Sequence, residues 1–544
     1  MKSVKELIAR FHEAPLIVFW ESTKACPLAC RHCRADAIFK PLPGELTTTE
    51  GKRLIEQVAE FGDPKPLLVI TGGDPLMRAD LFELVDYANA LGVPVSLAPA
   101  VSPNLTEETL KEIKTHGVKS ISISLDGARP ETHDELRGVP GSFHDTVTAI
   151  KTAVEMGVPV QVNTVVWRKS LQELPEVAKL LRDLGVKVWE VFFLIVTGRA
   201  REELDVTPEE YEAAVQFLVD VSTYGFQVRT VEAPFYRRAK LERLEGRSYD
   251  HPLYRDLTER LRKYLGNPTR GVDPTVVPTR DGFGIIFVAH DGTVTPSGFL
   301  PYPLGNVRRQ NLVEIYRKHP LLLKMRSGEF GGRCGVCRYR DICGGSRARA
   351  YAYFGDPLAE DPACIYKPVV LIFHGSRDQR HNEQAKALAE AVGAGYAFME
   401  AEPKFQGGLG IPMFITDGED YRKALKVATV KSPPLLRWPG FVEYLRGLGA
   451  ELYIFHGPDE TGEIKATGLP IALLYGDPNI DQAPCVEVAA PVLLTRGYIY
   501  NKTEERYRRC KAKLLPPLAE QPEFIQYLRN TIPTILKHHT PQPP

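Results

Sequence analysis

An α/β fold is predicted for this chain of 544 residues by two observations. From residue 16 to about residue 193, short apolar runs alternate with helix-length amphipathic segments, which predicts a partial (β/α)6 barrel of the TIM type. After residue 366 a second such alternation predicts a doubly wound α/β domain, and the cysteines clustered before it predict a cysteine-rich extension. We therefore predict a barrel core at residues 1-198, a helical cover at 199-281, the extension at 282-366 and the α/β domain at 368-544.

The charge balance excludes two broad classes of partner. The chain has 68 basic and 68 acidic residues and a pI of about 7.2, so it has no general electrostatic attraction to nucleic acid or to anionic lipid. The first fifteen residues carry charges throughout, and no apolar run reaches the roughly 18 residues that span a bilayer. We expect a cytoplasmic protein with no nucleic-acid partner and no membrane partner.

Six strands and five helices are expected in the barrel core. The strands are short runs rich in apolar and β-branched residues: Leu16–Trp20, Leu67–Ile70, Val93–Leu97, Ser120–Leu125, Val158–Val166 and Val188–Phe193. The helices have apolar residues at helical spacing, and Thr47 or Thr48 is expected to cap the first: Thr48–Phe61, Ala79–Leu91, Thr106–His116, Phe143–Met156 and Leu171–Leu184. In a barrel of this kind the chemistry belongs at the C-terminal ends of the strands.

Two segments separate these elements from the later cysteines. The polar stretch from Arg199 to about Thr279 is expected to form helices and connections over the barrel, with Arg237 and Arg238 on an exposed helix face. The turn His290-Asp291-Gly292 lies between two β-prone runs and predicts a hairpin. No internal repeat is expected in the chain.

The first cysteine group follows directly after the first predicted strand, in the loop Cys26-Pro-Leu-Ala-Cys30-Arg-His-Cys33. Three thiolates are too few for a closed four-thiolate site, so a [4Fe–4S] cluster held here keeps one iron open to an outside ligand. A zinc knuckle that borrows His32 is one alternative, and three reduced thiols are the other.

This loop and its position resemble the radical S-adenosylmethionine (SAM) superfamily. The resemblance implies that the open iron binds the amino and carboxylate groups of SAM, and that an electron from the cluster cleaves SAM to methionine and a 5′-deoxyadenosyl radical. Thr71-Gly72-Gly73-Asp74-Pro75 resembles the family's GGEP motif with Asp in place of Glu, which implies contacts with the methionine amine. Glycines there also suit a close approach of the backbone to a ligand, because they lack a Cβ atom.

Later motifs imply further SAM contacts. Ser122, Ser124 and Asp126 in SISLDG, Arg137 in HDELRG and Asn163 in QVNTVV resemble the ribose, carboxylate and adenine contacts of the family. Each of these residues also has an ordinary alternative role in a turn or a cap. No catalytic side chain is assigned beyond the cluster.

The second cysteine group, Cys334-x2-Cys337-x5-Cys343-x20-Cys364, supplies the four thiolates that close one metal site. On spacing alone, zinc in a four-cysteine ribbon is the alternative. The group resembles the SPASM or twitch-type extension of radical SAM enzymes, which implies an auxiliary [4Fe–4S] cluster that relays an electron or clamps the extension to the barrel. Ser297 stands where such extensions often have a further cysteine, so one auxiliary cluster is expected rather than two.

The last domain begins with a buried-strand run that ends at His374-Gly-Ser-Arg-Asp. Its strands are expected at Val369–Phe373, Tyr396–Met399, Pro412–Ile415, Glu451–Phe455, Pro470–Tyr475 and Val486–Leu494. It resembles a degenerate class II chelatase of the CbiX type, which implies metal or tetrapyrrole binding by His374, with Glu400 or Glu402 nearby; a histidine in a local turn is the alternative. Tyr498 or Tyr500 stands where the second chelatase histidine is expected, so binding is expected rather than metal insertion. The remaining cysteines, Cys485 and Cys510, are expected to be separate, buried or inert thiols.

Four phrases of the chain most resemble the radical SAM proteins of heme d1 and alternative heme biosynthesis: FWESTKACPLACRHCRADA, TGGDPLMRADLF, SLDGARPETHDELRG and CGGSRARAYAYFGDPLAEDPAC. The resemblance implies an enzyme that decarboxylates or removes side chains of an iron tetrapyrrole, with SAM, two clusters and a one-electron donor such as ferredoxin or flavodoxin. Two alternatives stay open: a SPASM enzyme that modifies a peptide or protein, and a non-catalytic metal-binding scaffold.

Overall fold

The structure is a computed structural model that describes residues 4–539. The start of the charged N-terminal segment and the end of the polar tail HHTPQPP therefore lie outside the described residues. The chain forms two compact units. The barrel unit contains the residues up to Phe330 together with Tyr339–Ile365, and the C-terminal unit contains Gly331–Arg338 together with the residues from Tyr366 onward. Every helix in the described part is too short or too polar to cross a bilayer.

One sheet of ten strands forms the centre of the barrel unit. Its spatial order is β10-β9-β8-β1-β2-β3-β4-β5-β6-β7, and β8 and β1 to β7 run parallel. The strands are β1 Ile17–Glu21, β2 Leu67–Thr71, β3 Val95–Leu97, β4 Ile121–Ser124, β5 Val160–Val166, β6 Val188–Phe193, β7 Gln227–Val231, β8 Ile285–Val288, β9 Thr293–Thr295 and β10 Gly305–Asn306. The predicted α/β class and its six parallel strands, β1 to β6, are confirmed.

Two strands beyond these six lengthen the parallel sheet. β7 lies in the stretch that was expected to form mostly helices and connections, and it pairs with β6 from Val188↔Gln227 onward. The predicted hairpin is present as β8 and β9, but β8 also pairs in parallel with β1 from Ile17↔Ile285 onward. Periodicity locates strands but does not reveal which of their edges are free to pair, so the sequence did not predict this placement of β8.

The first fourteen helices of the chain include the five that were predicted, as α2, α3, α4, α6 and α7, with bounds close to the predicted ones. In the order of the chain they are α1 Val4–Glu13, α2 Thr48–Ala59, α3 Leu81–Ala90, α4 Glu107–Thr115, α5 Pro130–Arg137, α6 Ser142–Glu155, α7 Leu174–Asp183, α8 Pro208–Val221, α9 Phe235–Leu244, α10 Pro252–Leu265, α11 Leu312–Lys318, α12 Pro320–Ser327, α13 Gly332–Gly335 and α14 Arg347–Phe354. Thr47 caps α2 in a reciprocal capping box with Glu50, as one of the two predicted caps. The short helix α13 belongs to the C-terminal unit.

The helix α9 is buried, which corrects the expectation of an exposed arginine face. Arg238 is 4% exposed, and its guanidinium donates to the carboxylates of Glu212 and Glu242. Arg237 donates to the backbone carbonyl of Thr279. A run of charges predicts a solvated face only when the charges lack partners within the fold, and here acidic side chains of α8 and α9 supply them.

The C-terminal unit has two small parallel sheets instead of one continuous layer. Their orders are β12-β11-β13 and β15-β14-β16-β17. The strands are β11 Val369–Phe373, β12 Gly395–Phe398, β13 Leu409–Pro412, β14 Leu452–Phe455, β15 Ile471–Leu473, β16 Val488–Pro491 and β17 Lys513–Leu514, and the helices are α15 Gln379–Val392, α16 Glu419–Val427, α17 Phe441–Gly447, α18 Tyr498–Tyr507 and α19 Pro522–His539. β13 begins three residues earlier than predicted, because glycines at 407, 408 and 410 weaken the strand signal there.

The two sheets repeat one arrangement, although no repeat was expected. In each sheet the first strand lies between the second and the third. Each first strand also ends in the same four residues, Ile372–Gly375 in β11 and its turn and Ile454–Gly457 in β14 and its turn. Four shared residues are too few to detect in the sequence, and the repeat is recognisable only from the strand order.

A disulfide corrects the expectation for the last two cysteines. Cys485 and Cys510 are bonded to each other, with their Cα atoms 4.9 Å apart, and Cys485 is exposed. The two residues are 25 positions apart in sequence, so their proximity depends on the path of the chain through β16 and α18 and not on local spacing.

Candidate functional site

Three cysteines lie on the loop that follows β1, and each sulfur accepts a hydrogen bond. The Cys26 and Cys33 Sγ atoms each accept a backbone N–H, from Leu28 and Ala37 respectively, both at 3.4 Å. The Cys30 Sγ accepts from Nη1 of Arg137 at 3.8 Å. Hydrogen bonds to sulfur are one of the means by which proteins set the reduction potential of iron–sulfur clusters.

The chemistry of these three thiols fits a [4Fe–4S] cluster with one open iron. Burial raises the pKa of Cys26 to about 11 and also raises the pKa of Cys30, so a bound metal must displace their protons. Among residues 4–539, no three His, Cys, Asp or Glu side chains converge as ligands of a single ion. Burial lowers the pKa of His32 to about 4.

Three segments of the barrel unit hold the cysteine loop, Cys26–Cys33, in place. A Cβ on Gly73 would approach the carbonyl oxygen of Ala25 to 2.3 Å, and one on Gly138 would approach that of Ala29 to 2.7 Å. After β6, Arg199 donates to the carbonyl oxygens of Cys30 and Ala37, both at 2.9 Å. The glycines thus allow backbone to pack closely against the cysteine loop and the residue before it.

Asp74 and Pro75 form the turn after Gly72 and Gly73. Asp74 is fully buried, and its carboxylate accepts from the backbone N–H of Leu76 at 3.1 Å and from the hydroxyl of Ser102 at 2.9 Å. Burial raises its pKa despite these hydrogen bonds. Pro75 begins the short 3-10 helix that Asp74 caps. The acidic residue of the motif therefore fixes this turn and the loop after β3.

Asp126 and Arg137 form a buried ion pair behind the cysteine loop. The Arg137 Nε donates to Asp126 Oδ2 at 2.7 Å, and Asp126 Oδ1 accepts the backbone N–H of Val165 at 2.8 Å. Burial alone would raise the pKa of Asp126, but the charge of Arg137 together with the smaller effects of His32, His133 and the backbone of Val165 lowers the net pKa. Both carboxylate oxygens are thus engaged within the protein, and Asp126 acts on the cysteine loop through Arg137 and Cys30.

We expect Asp126→Ala to destabilise the barrel unit by about 3–5 kcal/mol, because the substitution leaves the Arg137 charge in a buried position. Urea unfolding of the two proteins measures the difference. The matched control is Glu135→Ala, which breaks exposed ion pairs with Arg31 and Lys169, whose side chains are 45% and 56% exposed, and should cost about 1 kcal/mol or less. Equal stabilities of the two variants would contradict the structural role of Asp126.

The other predicted SAM contacts lie on one face of neighbouring strands. Ser122 pairs with Gln161 and Ser124 with Asn163 across β4 and β5, and all four side chains are partly exposed. The Gln161 amide donates to Asn163 Oδ1 and to Glu190 Oε2, both at 2.9 Å. We call this polar side of β4, β5 and β6 the open face.

Sequence reasoning missed three members of this network. Gln161, Glu190 and Arg229 lie on β5, β6 and β7, and Arg229 donates to Gln161 Oε1 at 2.9 Å. Burial raises the pKa of Glu190. Polar residues at alternate positions of otherwise apolar strands are the signal that could have identified Gln161 and Glu190.

The second cysteine group is divided between the two units. Cys334 and Cys337 lie in the segment Gly331–Arg338 of the C-terminal unit, and Cys343 and Cys364 belong to the barrel unit. The backbone N–H of Cys343 donates to the carbonyl oxygen of Tyr339 at 2.8 Å, and that of Cys364 donates to Asp361 at 3.2 Å. Ser297, which stands at the position of a further cysteine, is buried after β9.

Around His374 the structure brings together a different set of residues from the predicted one. The neighbouring carboxylate is that of Asp420 in α16, whose Oδ2 lies 3.5 Å from His374 Nε2. Glu400 contributes only a backbone N–H, which donates to the carbonyl oxygen of His374. Burial lowers the pKa of His456, the charge of His374 lowers it further and that of Asp420 raises it. A second histidine is therefore present near His374, at the matching end of β14.

Tyr498 and Tyr500, which stand where the second chelatase histidine is expected, differ in exposure. Tyr500 is 4% exposed and its hydroxyl donates to the carbonyl oxygen of Leu515, while Tyr498 is 65% exposed. Burial lowers the pKa of His381, and the charge of His374 lowers it further. His456 follows β14 in the sequence Phe-His-Gly, away from the position at which the second chelatase histidine is expected.

The sequence of this chain is similar to a known family and to several named proteins. Residues 20–181 match the family model described as the Radical SAM superfamily. The chain is 38% identical over 356 residues to a protein named AdoMet-dependent heme synthase from Oleidesulfovibrio alaskensis, which covers 65% of this chain and 87% of that protein. It is 36% identical over 357 residues to one of the same name from Methanosarcina barkeri, covering 65% and 97%. It is 28% identical over 378 residues to a Pre-heme d1 synthase from Dinoroseobacter shibae, covering 66% and 87%.

Proposed function

Since this chain belongs to the radical SAM superfamily, we propose that it decarboxylates or removes side chains of an iron tetrapyrrole in the biosynthesis of heme or of a heme d1-type cofactor. The chain is a SAM-dependent enzyme, and its cofactors are SAM and a [4Fe–4S] cluster. The observation that carries the choice of substrate is its identity of more than a third to two proteins named AdoMet-dependent heme synthase, over most of their length.

We infer that Cys26, Cys30 and Cys33 hold this cluster. When bound, the cluster supplies the electron that cleaves SAM to methionine and a 5′-deoxyadenosyl radical, which takes a hydrogen atom from a ring substituent. Arg137 holds the Cys30 sulfur through its hydrogen bond, and Asp126 in turn orients Arg137. These contacts keep the cysteine loop in one position at the C-terminal edge of the sheet.

The remaining SAM contacts are proposed for the segments around the loop. Gly72, Gly73, Asp74 and Pro75 form the turn against the cysteine loop that would receive the methionine part of SAM. On the open face, Ser122, Ser124 and Asn163 would receive its ribose and adenine. The support for Ser122, Ser124 and Asn163 is that they lie on neighbouring parallel strands and that their side chains are partly exposed.

We also propose one auxiliary [4Fe–4S] cluster on Cys334, Cys337, Cys343 and Cys364. The support is the number and spacing of the cysteines within 31 residues. A one-electron donor such as ferredoxin or flavodoxin would reduce the SAM-binding cluster. We retain the proposed domains of the first 366 residues: the core at 1-198, the cover at 199-281 and the extension at 282-366.

For the C-terminal unit we propose a second site that binds an iron tetrapyrrole through His374. Its support is the group of His374, Asp420 and His456 at the ends of the central strands β11 and β14, where ligands of open parallel sheets usually bind. A neutral imidazole is a common ligand of iron in proteins. Residues 368-544 would then hold substrate or product close to the enzyme that modifies it.

We expect His374→Ala in the full-length protein to weaken this second binding event by about tenfold or more, which corresponds to about 1.4 kcal/mol. Spectroscopic titration with iron coproporphyrin III measures the stoichiometry and affinity. His538→Ala, an exposed histidine of α19, is the control and should bind as the unchanged protein does. SAM cleavage should be the same in all three proteins. Unaltered binding by His374→Ala would return this residue to the role of a turn histidine.

The proposed function is tested by anaerobic reconstitution and an assay of 5′-deoxyadenosine with and without iron coproporphyrin III. We expect the iron tetrapyrrole to increase SAM cleavage, because substrate that accepts the radical draws the reaction forward. An equal rate with and without the tetrapyrrole would favour the peptide-modifying alternative, and no cleavage under any condition would favour a scaffold.

A further inference from the structure

A triad of ionisable side chains lies beside the cysteine loop. Glu21 is the last residue of β1, and its Oε1 lies 3.0 Å from Nδ1 of His290. Its Oε2 accepts from Nη1 of Arg34 at 3.0 Å. Arg34 follows Cys33 directly in the chain, and His290 follows β8, the parallel neighbour of β1. The triad therefore lies at the same edge of the sheet as the three cysteines.

The triad leaves one nitrogen of the imidazole available. Burial alone would raise the pKa of Glu21, but the hydrogen bond with His290 and the charge of Arg34 outweigh it and the net pKa is lowered. A carboxylate can only accept, so Nδ1 of His290 donates to Glu21, and Nε2 is the ring nitrogen that remains for another partner. Within residues 4–539 no hydrogen bond to Nε2 is formed, and the side chain is 15% exposed. Histidines that bind metals commonly donate their other N–H to a carboxylate in this way.

A free metal ion does not fit this position, but a metal that brings its own ligands does. In the described part of the chain, no three His, Cys, Asp or Glu side chains converge as ligands of an ion, so His290 has no partners with which to hold one. An iron tetrapyrrole has four ring nitrogens on its iron already and needs only an axial ligand from the protein.

The side chains around the triad suit a flat, apolar ring. The Arg34 guanidinium lies 4.7 Å from the ring centre of Phe287 and 5.9 Å from that of Phe299. The Phe299 ring in turn lies 6.0 Å from the ring of Phe192 on β6, and both of these side chains are partly exposed. Aromatic side chains with a few placed polar groups are the usual lining of cofactor-sized sites.

We propose that Nε2 of His290 is the axial ligand of the iron in the tetrapyrrole substrate. Glu21 fixes the imidazole in the required tautomer, and Arg34 fixes Glu21. The iron is thereby anchored at the edge of β1 and β8, which brings the ring substituents to the side of the cysteine loop. This inference rests on the proposed iron tetrapyrrole substrate and adds the residue that orients it.

The test compares His290→Gln with its parent in full-length, cluster-loaded protein that also carries His374→Ala, so that the C-terminal site is removed from both. Glutamine retains an N–H that reaches Glu21 but lacks the imidazole. The probes are iron coproporphyrin III and the same ring without iron, and the readouts are affinity, the visible spectrum and the electron paramagnetic resonance of the ferric iron. His319→Gln, a partly exposed histidine that caps α12, is the matched control. Thermal unfolding checks that all proteins are folded.

We expect His290→Gln to bind the iron ring about tenfold or more weakly and to lose the spectrum of a histidine-ligated iron. Its affinity for the metal-free ring should be unchanged, and added imidazole should restore the spectrum in the His290→Gly variant. If the parent binds the iron ring and His290→Gln binds it with the same affinity and spectrum, the inference is wrong and the proposed function stands. If the parent binds neither ring, both are wrong.

Discussion

Replacing Cys26, Cys30 and Cys33 together with alanine should abolish SAM cleavage, reducing 5′-deoxyadenosine to the background of a reaction without protein. The physical reason is that these are the three thiols of the loop after β1, and each already accepts a hydrogen bond from the surrounding barrel unit. Without them no iron is held with an open position for SAM. The assay is liquid chromatography of an anaerobic reaction with excess reductant.

The matched control changes two cysteines outside both groups. Cys485→Ser with Cys510→Ser removes the disulfide of the C-terminal unit and should leave SAM cleavage and total iron unchanged. Formation of 5′-deoxyadenosine by the triple alanine variant would show that another site binds and cleaves SAM, which is incompatible with the assignment made here to the cysteine loop.

The second large effect concerns iron content. We expect about eight irons per chain in the reconstituted protein and about four after Cys334, Cys337, Cys343 and Cys364 are all replaced with alanine, since each cluster contains four irons. Elemental analysis of protein purified without air measures both values. The variant should keep the spectrum of the cluster on the first three cysteines, because those thiols belong to a separate loop.

Zinc bound by the second cysteine group would contradict the proposal of an auxiliary cluster there. Four clustered thiolates also suit a structural zinc ion. Stoichiometric zinc together with about four irons in the unchanged protein would reject the auxiliary cluster. A four-cysteine variant with the same iron content as its parent would reject it as well.

Much of the barrel could be predicted from the sequence, and the reasons for the failures are physical. The strands β1 to β6 alternate with amphipathic helices, so their periodicity is visible without any contact information. β7 lies between α8 and α9 in a stretch that reads as polar, and β8 is part of a hairpin. The places of both strands in the sheet depend on pairing with β6 and β1. Pairing between distant segments has no local signature in one sequence.

Part of the candidate site could also be predicted from the sequence, and part of it could not. The cysteine loop and the glycines of its neighbouring turn are adjacent in sequence and could be predicted as motifs. The contact of Arg137 with Cys30 joins residues 107 positions apart, and the contact of His290 with Glu21 joins residues 269 positions apart. Such contacts exist only after the sheet forms, which is why the sequence did not predict that Asp126 orients Arg137.

The central claim is that this enzyme modifies an iron tetrapyrrole, and mass spectrometry of the tetrapyrrole tests it most directly. The reconstituted protein is incubated anaerobically with SAM, a reductant and iron coproporphyrin III, and the ring is then extracted. We expect a product that has lost carbon dioxide or a whole side chain, formed in proportion to 5′-deoxyadenosine and absent with the triple cysteine variant. A ring recovered unchanged while the same reaction accumulates 5′-deoxyadenosine would contradict it.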